Sequence, residues 1–281
     1  MKLSPFKIGL FSTSLLIGAT APGIAADFTR ISSAEDFYTY YGNDFSAEAK
    51  AFVEDLYSYL TPYFGPNGRA QAAADGFVPM TPEAKFHGTH WFKPEQVYNF
   101  VAEPTRPAGL NFDQENKLVA VYWGETKYDA IEQAVQSFST LPPENLPALY
   151  TAYKEANVRS LPTILAPFGD LAAWHSHENV VIENVGAIDP STGFYDAEAI
   201  NFRQSLLDEA FIAEIFAALQ DPQKVAAPFE VNPDTYPPFN LGIHPGFYMA
   251  HLWIGAGNPD GPFNTTHAAV SPNGLRRAHH V

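Results

Sequence analysis

The spacing of apolar residues along the chain predicts several helices. Residues 34–64 carry apolar side chains near a 3.6-residue period, and Ser46 stands where it can cap a helix. Residues 65–68 read Gly-Pro-Asn-Gly and predict a break after this helical N-terminal part. A stripe of apolar residues over 196–219 predicts a second long helix, and residues 129–138 predict a shorter one.

Apolar runs elsewhere predict strands. Three of them cover residues 86–92, 117–123 and 172–183. Residues 247–254 are apolar on both faces, which is typical of a buried central strand. Residues 222–245 contain six prolines without a period and predict a long loop. Because helices and strands mix without a repeat or a linker, we expect a single α+β domain: a mixed or antiparallel sheet with flanking helices and long Pro-rich loops.

The N-terminus has the pattern of an export signal. Lys2 and Lys7 precede an uncharged apolar run over 8–19, and small residues follow up to Ala26. This pattern predicts a cleaved signal peptide over 1–26 and a mature periplasmic or secreted domain over 27–281. An uncleaved anchor is the alternative, although the run is short for a bilayer span. No later run is long enough, so we expect no membrane insertion after cleavage.

Charge and composition exclude several classes of function. The chain has 16 Lys and Arg residues against 31 Asp and Glu residues, which gives a formal net charge of -15. Signal cleavage would remove two lysines and no acidic residue, and the charge would fall to -17. Such an acidic chain repels phosphate backbones, so nucleic acid is not an expected partner. The phosphate-binding glycine motifs are missing, and we expect no nucleotide cofactor.

Histidine is the residue type that offers metal chemistry here. The chain has no cysteine, so a tightly bound transition metal would depend on its nine histidines, on carboxylates or on backbone oxygen. His175 and His177 share one face of a predicted strand, while His90 and His251 lie in apolar strands. Together these four residues predict a site for zinc, copper or iron. His87 and His267 are weaker candidates.

Glu178 follows the histidine pair and is the best candidate for an acid or base. In a regular strand its side chain would point away from both imidazoles. The expected partner is a metal ion or a small molecule, and the sequence leaves open whether a metal would be catalytic, carried or structural. One alternative is a metal-free binding or interaction domain whose histidines are core hydrogen-bonding groups. Another is a metal-free hydrolase that uses Glu178 with a histidine.

Three segments carry a resemblance. They are Gly88-Thr89-His90-Trp91, then residues 104–107 (Pro-Thr-Arg-Pro) leading to the apolar run 118–122, and residues 251–263, from His-Leu-Trp to Asn-Pro-Asp-Gly-Pro-Phe. In these segments the chain resembles an uncharacterised group of secreted bacterial proteins. The resemblance implies an exported domain with His90 and His251 in motif positions, and it implies no activity.

Overall fold

The fold is known from a computed structural model, which describes most of the chain between residues 28 and 274. The described residues are 28–81, 83–93, 103–127, 158–184, 188–189, 194–195, 200–204 and 241–274. The predicted signal peptide over 1–26 and the predicted helix over 129–138 lie outside these ranges.

Helices form the N-terminal part of the domain. They are α1 (Ala34–Tyr41), α2 (Ala47–Leu60) and α3 (Gly68–Ala74), with short 3-10 helices at Thr61–Tyr63 and Ala166–Leu171. Ser46 caps α2 as predicted, because its hydroxyl accepts a hydrogen bond from the backbone N–H of Ala49. The segment 34–64 is two helices, since α1 ends at Gly42 with a positive φ of 91°. The third helix was not predicted.

An antiparallel sheet forms the rest of the described domain. Its strands are β1 (Val78–Pro79), β2 (Thr89–Phe92), β3 (Gly109–Phe112), β4 (Leu118–Thr126), β5 (His175–Asn184), β8 (Ile200–Gln204) and β9 (Leu241–Leu252), and β6 (Ile188–Asp189) and β7 (Phe194–Tyr195) form a separate pair. The strand order is β1-β2-β3-β4-β9-β5-β8, and every neighbouring pair is antiparallel. The predicted single α+β domain is confirmed.

Two sequence predictions are wrong where the structure describes them. Residues 200–204 are strand β8 and not helix, because they pair with β5 in a regular antiparallel register. Ile200 and Phe202 alternate with polar residues, and this period of two was masked by the longer helical stripe. Residues 241–245 belong to β9 and not to a loop, since the ladder with β5 continues through them. The remainder of both segments lies outside the described residues.

The sheet packs its two faces differently. One face lies on α1 and α2 and forms the main hydrophobic core, in which Phe52 of α2 contacts Trp123 of β4 with ring centroids 5.6 Å apart. Sheet residues on this face include Trp91, Leu110, Val121, Ala250 and Leu252. The opposite face carries the histidines and is called the histidine face below. None of the helices in the described ranges is both long and apolar enough to cross a membrane.

Candidate metal centre

Three strands place the four predicted site histidines on the histidine face. His90 is on β2, His251 is on β9, and both His175 and His177 are on β5. Direct cross-strand partners share a face, and His251 pairs with Tyr122 of β4. His175 and His177 pair with Met249 and Phe247 of β9. These two residues share the face of His251, because alternate residues of a strand point the same way. The structure therefore brings all four predicted histidines to one face.

Curvature of the sheet brings the outer strands together. β3 and β4 lie between β2 and β9, so a flat sheet would hold the backbones of β2 and β9 about 14 Å apart. Two imidazoles standing upright on such a sheet could not meet. Nevertheless the Nε2 atoms of His90 and His251 are only 3.2 Å apart. The sheet therefore curls toward the histidine face and encloses the imidazoles.

A tight turn before β2 adds a fifth histidine. His87 lies between Phe86 and Gly88, which both have positive φ, of 69° and 76°. Backbone hydrogen bonds of 3.0 Å in both directions between Ala84 and Gly88 close the turn. A positive φ is costly for an aromatic residue such as Phe86, and such strain persists only where the surroundings fix it. The turn buries the His87 side chain next to His90.

His87, His90 and His251 form a compact group of three imidazole rings, called the imidazole triangle below. The ring centroids are 5.8 Å apart for His87 and His90, 5.7 Å for His87 and His251, and 5.4 Å for His90 and His251. Three imidazoles bound through Nε2 to one tetrahedral zinc ion would have centroids about 5.2 Å apart. The triangle is thus close to the size of a three-histidine metal site.

Hydrogen bonds determine which ring nitrogens carry protons. The Nδ1 atom of His87 lies 2.9 Å from the carbonyl oxygen of Lys85, and because a carbonyl only accepts, Nδ1 carries the proton. The amide of Asn111 donates to the carbonyl oxygen of His87 at 3.1 Å and to Nε2 of His90 at 3.0 Å. The proton of His90 is therefore on Nδ1, which donates to the Thr81 hydroxyl at 3.2 Å. The Nε2 atoms of His87 and His90 therefore carry lone pairs.

His175 and His177 continue the row of rings along β9. The ring of His175 stacks on His251 with a centroid distance of 5.4 Å and an interplanar angle of 10°. The His177 ring is 4.9 Å from that of His175 and stacks on Phe247 at 4.8 Å. His177 is fully buried and His175 is half-buried. His175 thus links His177 to the triangle, and both of its ring nitrogens are buried.

The electrostatic environment keeps His251 and Tyr122 neutral at pH 7. Burial lowers the pKa of His251 well below its usual value, and the nearby imidazoles of His175, His90, His87 and His177 lower the pKa further. Burial also raises the pKa of Tyr122 well above its usual value, so its phenol stays protonated. A neutral imidazole is the form that binds metals.

A finished metal geometry is not present within the described part of the chain. There, no group of three or more His, Asp or Glu side chains is already arranged to hold a metal ion. One physical reason is the pair of hydrogen bonds at Nε2 of His90, which accepts from the amide of Asn111 and lies 3.2 Å from Nε2 of His251. A metal would have to replace these hydrogen bonds, and side chains would have to shift.

Glu178 and His87 show the limits of the sequence reasoning. Glu178 lies on β5 opposite Gly246, and its side chain lies outside the described part of the structure, so its role stays a prediction. His87 ranked below the four main candidates and lay in the predicted strand over 86–92, whereas the structure has a turn at residues 85–87 before β2 begins at Thr89. The signal that could have raised its rank is the spacing of His87 and His90 across Gly88, which permits a tight turn.

Comparison with known proteins leaves the chain without a family. No protein-family model, no curated protein and no solved structure matches it. The resemblance to secreted bacterial proteins stays a prediction. In the structure its first and last segments place His90 and His251 in direct contact on the histidine face.

Proposed function

We propose that this chain is an exported protein that binds one transition metal ion through the imidazoles of His87, His90 and His251. The mutual ring distances of the imidazole triangle are the observation that carries the proposal, because three buried imidazoles stand within about half an ångström of the spacing that a tetrahedral ion needs. His175 and His177 extend the site and supply further ligands within the same row.

The tautomers support this proposal. Histidines that bind metals through Nε2 usually donate the Nδ1 proton to an oxygen, which fixes the ring and raises its basicity. His87 donates to the Lys85 carbonyl, and His90 donates to the Thr81 hydroxyl. Both rings therefore already have the proton on the nitrogen that would not bind the ion. Nε2 of His251 lies 3.2 Å from Nε2 of His90, which carries a lone pair, and so Nε2 of His251 carries the proton. That proton would have to leave or move to Nδ1 when the metal binds.

The ligand type limits the choice of metal. Imidazole binds zinc, copper, iron and nickel, whereas magnesium and calcium prefer oxygen ligands. With no cysteine in the chain, a thiolate cannot contribute. Zinc, copper and iron are therefore the ions to examine first.

A metal-free domain with core histidines is the second candidate. Hydrogen bonds of His90 favour it, because Thr81 occupies Nδ1 and Asn111 occupies Nε2 without any metal. In that case Asn111 would be a structural link between the turn at His87 and strand β2. The two candidates differ in one measurable quantity, the metal content of the folded protein.

Metal analysis of the protein and its histidine variants distinguishes the candidates. We expect protein isolated from the periplasm or culture medium to contain close to one equivalent of zinc, copper or iron. His90→Gln and His251→Gln should weaken the binding by more than about 100-fold, because each loses a ligand. His267→Gln is the matched control, since His267 is also buried but makes its hydrogen bonds outside the cluster. A folded wild-type protein that neither contains metal nor binds it on reconstitution contradicts the proposal.

A further inference from the structure

Asn111 of β3 is a buried polar residue that contacts two members of the imidazole triangle. It pairs directly with His90 across β2 and β3, so both side chains lie on the histidine face. The Asn111 side chain is fully buried, and its Nδ2 atom donates to the carbonyl oxygen of His87 and to Nε2 of His90. One amide group therefore contacts both the turn before β2 and the ring that follows it.

The hydrogen bond from Asn111 occupies the nitrogen of His90 that the proposed metal site needs. The distance from Nδ2 of Asn111 to Nε2 of His90 is 3.0 Å, and Nδ1 of His90 already contacts the Thr81 hydroxyl. A neutral imidazole has one ring nitrogen with a lone pair, so Nε2 of His90 cannot accept from the amide and bind an ion at the same time. Metal binding at His90 therefore requires the Asn111 amide to move away.

The oxygen of the Asn111 amide limits the cost of this movement. Oδ1 is buried and has no hydrogen-bond partner among the described residues. Burial of an unpaired acceptor is unfavourable, so a role in stability alone leaves this oxygen unexplained. Because Oδ1 has no hydrogen bond to lose, the amide can turn away from His90 at the expense of its Nδ2 contacts only.

We propose that Asn111 is a positioning residue that sets the metal affinity of the imidazole triangle, because its amide competes with the ion for Nε2 of His90. This inference rests on the proposed function. In the metal-free state the amide satisfies the lone pair of Nε2, and in the metal-bound state this hydrogen bond is lost. Removal of the amide destabilises the metal-free state relative to the metal-bound state, and so it raises the affinity for the ion.

Zinc titration of an Asn111 variant tests the inference. Leucine has a shape close to that of asparagine but cannot donate a hydrogen bond from its side chain. We expect the full mature chain with Asn111→Leu to bind Zn²⁺ about fivefold tighter than wild type in competition with a chromophoric chelator, which corresponds to one neutral hydrogen bond. The bond to the His87 carbonyl is missing from both states of this variant, so its loss affects stability. An unchanged or weaker zinc affinity overturns the inference.

Two further variants distinguish competition from a general effect on the fold. Asn258 is also buried, but its amide donates to the Thr266 carbonyl oxygen at 2.8 Å and not to the triangle. Asn258→Leu is the matched control and should leave the zinc affinity unchanged. Thr81→Val changes the contact at the other nitrogen of His90 and should weaken zinc binding about tenfold, because Nδ1 loses the oxygen that supports the ring as a ligand. Tighter zinc binding in either of these two variants contradicts a specific competition by Asn111.

A measurement on the wild-type protein does not depend on whether a variant folds. In the ¹⁵N-labelled mature chain, a hydrogen bond from Nδ2 of Asn111 to Nε2 of His90 transmits a nitrogen–nitrogen scalar coupling that magnetic resonance detects. We expect this coupling in the metal-free protein and its loss once one equivalent of Zn²⁺ is bound.

The two proposals fail in different ways. If the wild-type protein binds zinc and the coupling between Asn111 and His90 persists, the competition is wrong and the metal site stands. If the wild-type protein binds no metal, the metal site itself is wrong, and the inference is overturned with it.

Discussion

Histidines in this domain differ in role because their ring nitrogens have different partners. In His267, Nε2 donates to the Gly257 carbonyl at 2.9 Å and Nδ1 accepts from the Ala269 N–H at 3.2 Å. Backbone groups therefore use both nitrogens of His267. In His87, Nδ1 donates to the carbonyl oxygen of Lys85, and Nε2 carries the lone pair. The sequence identifies both residues as histidine but does not show these partners, which lie only two to ten residues away and depend on how the local turns fold.

His267 predicts a specific pH dependence of stability. Burial lowers the pKa of His267, and its hydrogen bond to Gly257 offsets only part of this effect. The unfolded histidine has a pKa of about 6.5, so below that pH the unfolded chain binds a proton that the folded chain resists. The stabilisation that neutral His267 gives to the folded state is therefore fully present above pH 6.5 and is lost as the pH falls. We expect the free energy of unfolding of His267→Gln to be about 1 kcal/mol lower than that of wild type at pH 8.

The comparison across pH isolates the contribution of this residue. Other histidines titrate in both proteins, and so the difference between wild type and His267→Gln reports on His267. We expect this difference to narrow as the pH falls from 7 to 5, as measured by urea unfolding. A difference that is constant over this range would show that His267 has the same pKa in the folded and unfolded states.

Strand β3 shows how one element shapes the site. Gly109 pairs with Tyr122 across β3 and β4, and a Cβ atom at Gly109 would overlap the Tyr122 ring. The ring thus lies over the glycine, and its hydroxyl donates to the carbonyl oxygen of Trp91 at 3.1 Å. In this position Tyr122 packs between β2 and His251 at the centre of the curled sheet. Without a side chain at Gly109, the ring can lie flat against the sheet.

Gly109→Ala is therefore expected to destabilise the domain. The new methyl group would displace the Tyr122 ring and break its hydrogen bond to Trp91, with a cost of about 1–3 kcal/mol, as for other overpacked cores. Gly65→Ala is the matched control, because a Cβ atom at Gly65 meets nothing within 4 Å and the backbone φ is not positive. The midpoint of urea unfolding measures both variants. Equal midpoints would contradict the close packing of Tyr122 on Gly109.

Elements were predictable where the local pattern and the tertiary contacts agree. Helix α2 has both a cap at Ser46 and an apolar stripe, and it forms as expected. Strand β9 extends beyond the apolar run 247–254 toward the N-terminus, because its ladder with β5 continues through residues with a weak strand signal. Strand β8 lies in a segment whose apolar residues have a helical period, but its pairing with β5 makes these residues a strand.

At the scale of the molecule, the candidate site depends on pairing between distant strands. His90 and His251 are 161 residues apart, and they meet because β9 inserts between β4 and β5. The sequence predicted that His90 and His251 lie in apolar strands and that His175 and His177 share a face. It could not predict the strand order or the curl, because both arise from long-range pairing and packing. The inclusion of His87 depends on the same curl.

Because these contacts are distant in sequence, a bound metal ion would cross-link β9 to β2 and its preceding turn. The unfolded chain does not hold His87, His90 and His251 together, so the ion would bind mainly to the folded state. Free metal at 100 times its dissociation constant would then add about 2.7 kcal/mol to the free energy of unfolding. We expect Zn²⁺ to raise the melting temperature of chelator-treated protein in calorimetry, and a chelator to reverse the increase.

Two controls distinguish this stabilisation from a general effect of cations. Mg²⁺ should leave the melting temperature unchanged, because it prefers oxygen ligands and keeps its water shell. His251→Gln should lose most of the Zn²⁺ effect, whereas His267→Gln should keep it, since His267 makes its hydrogen bonds to Gly257 and Ala269. An equal Zn²⁺ effect in both variants would place the bound ion away from the imidazole triangle. A loss confined to His251→Gln would link the stability of the fold directly to the contact between β2 and β9.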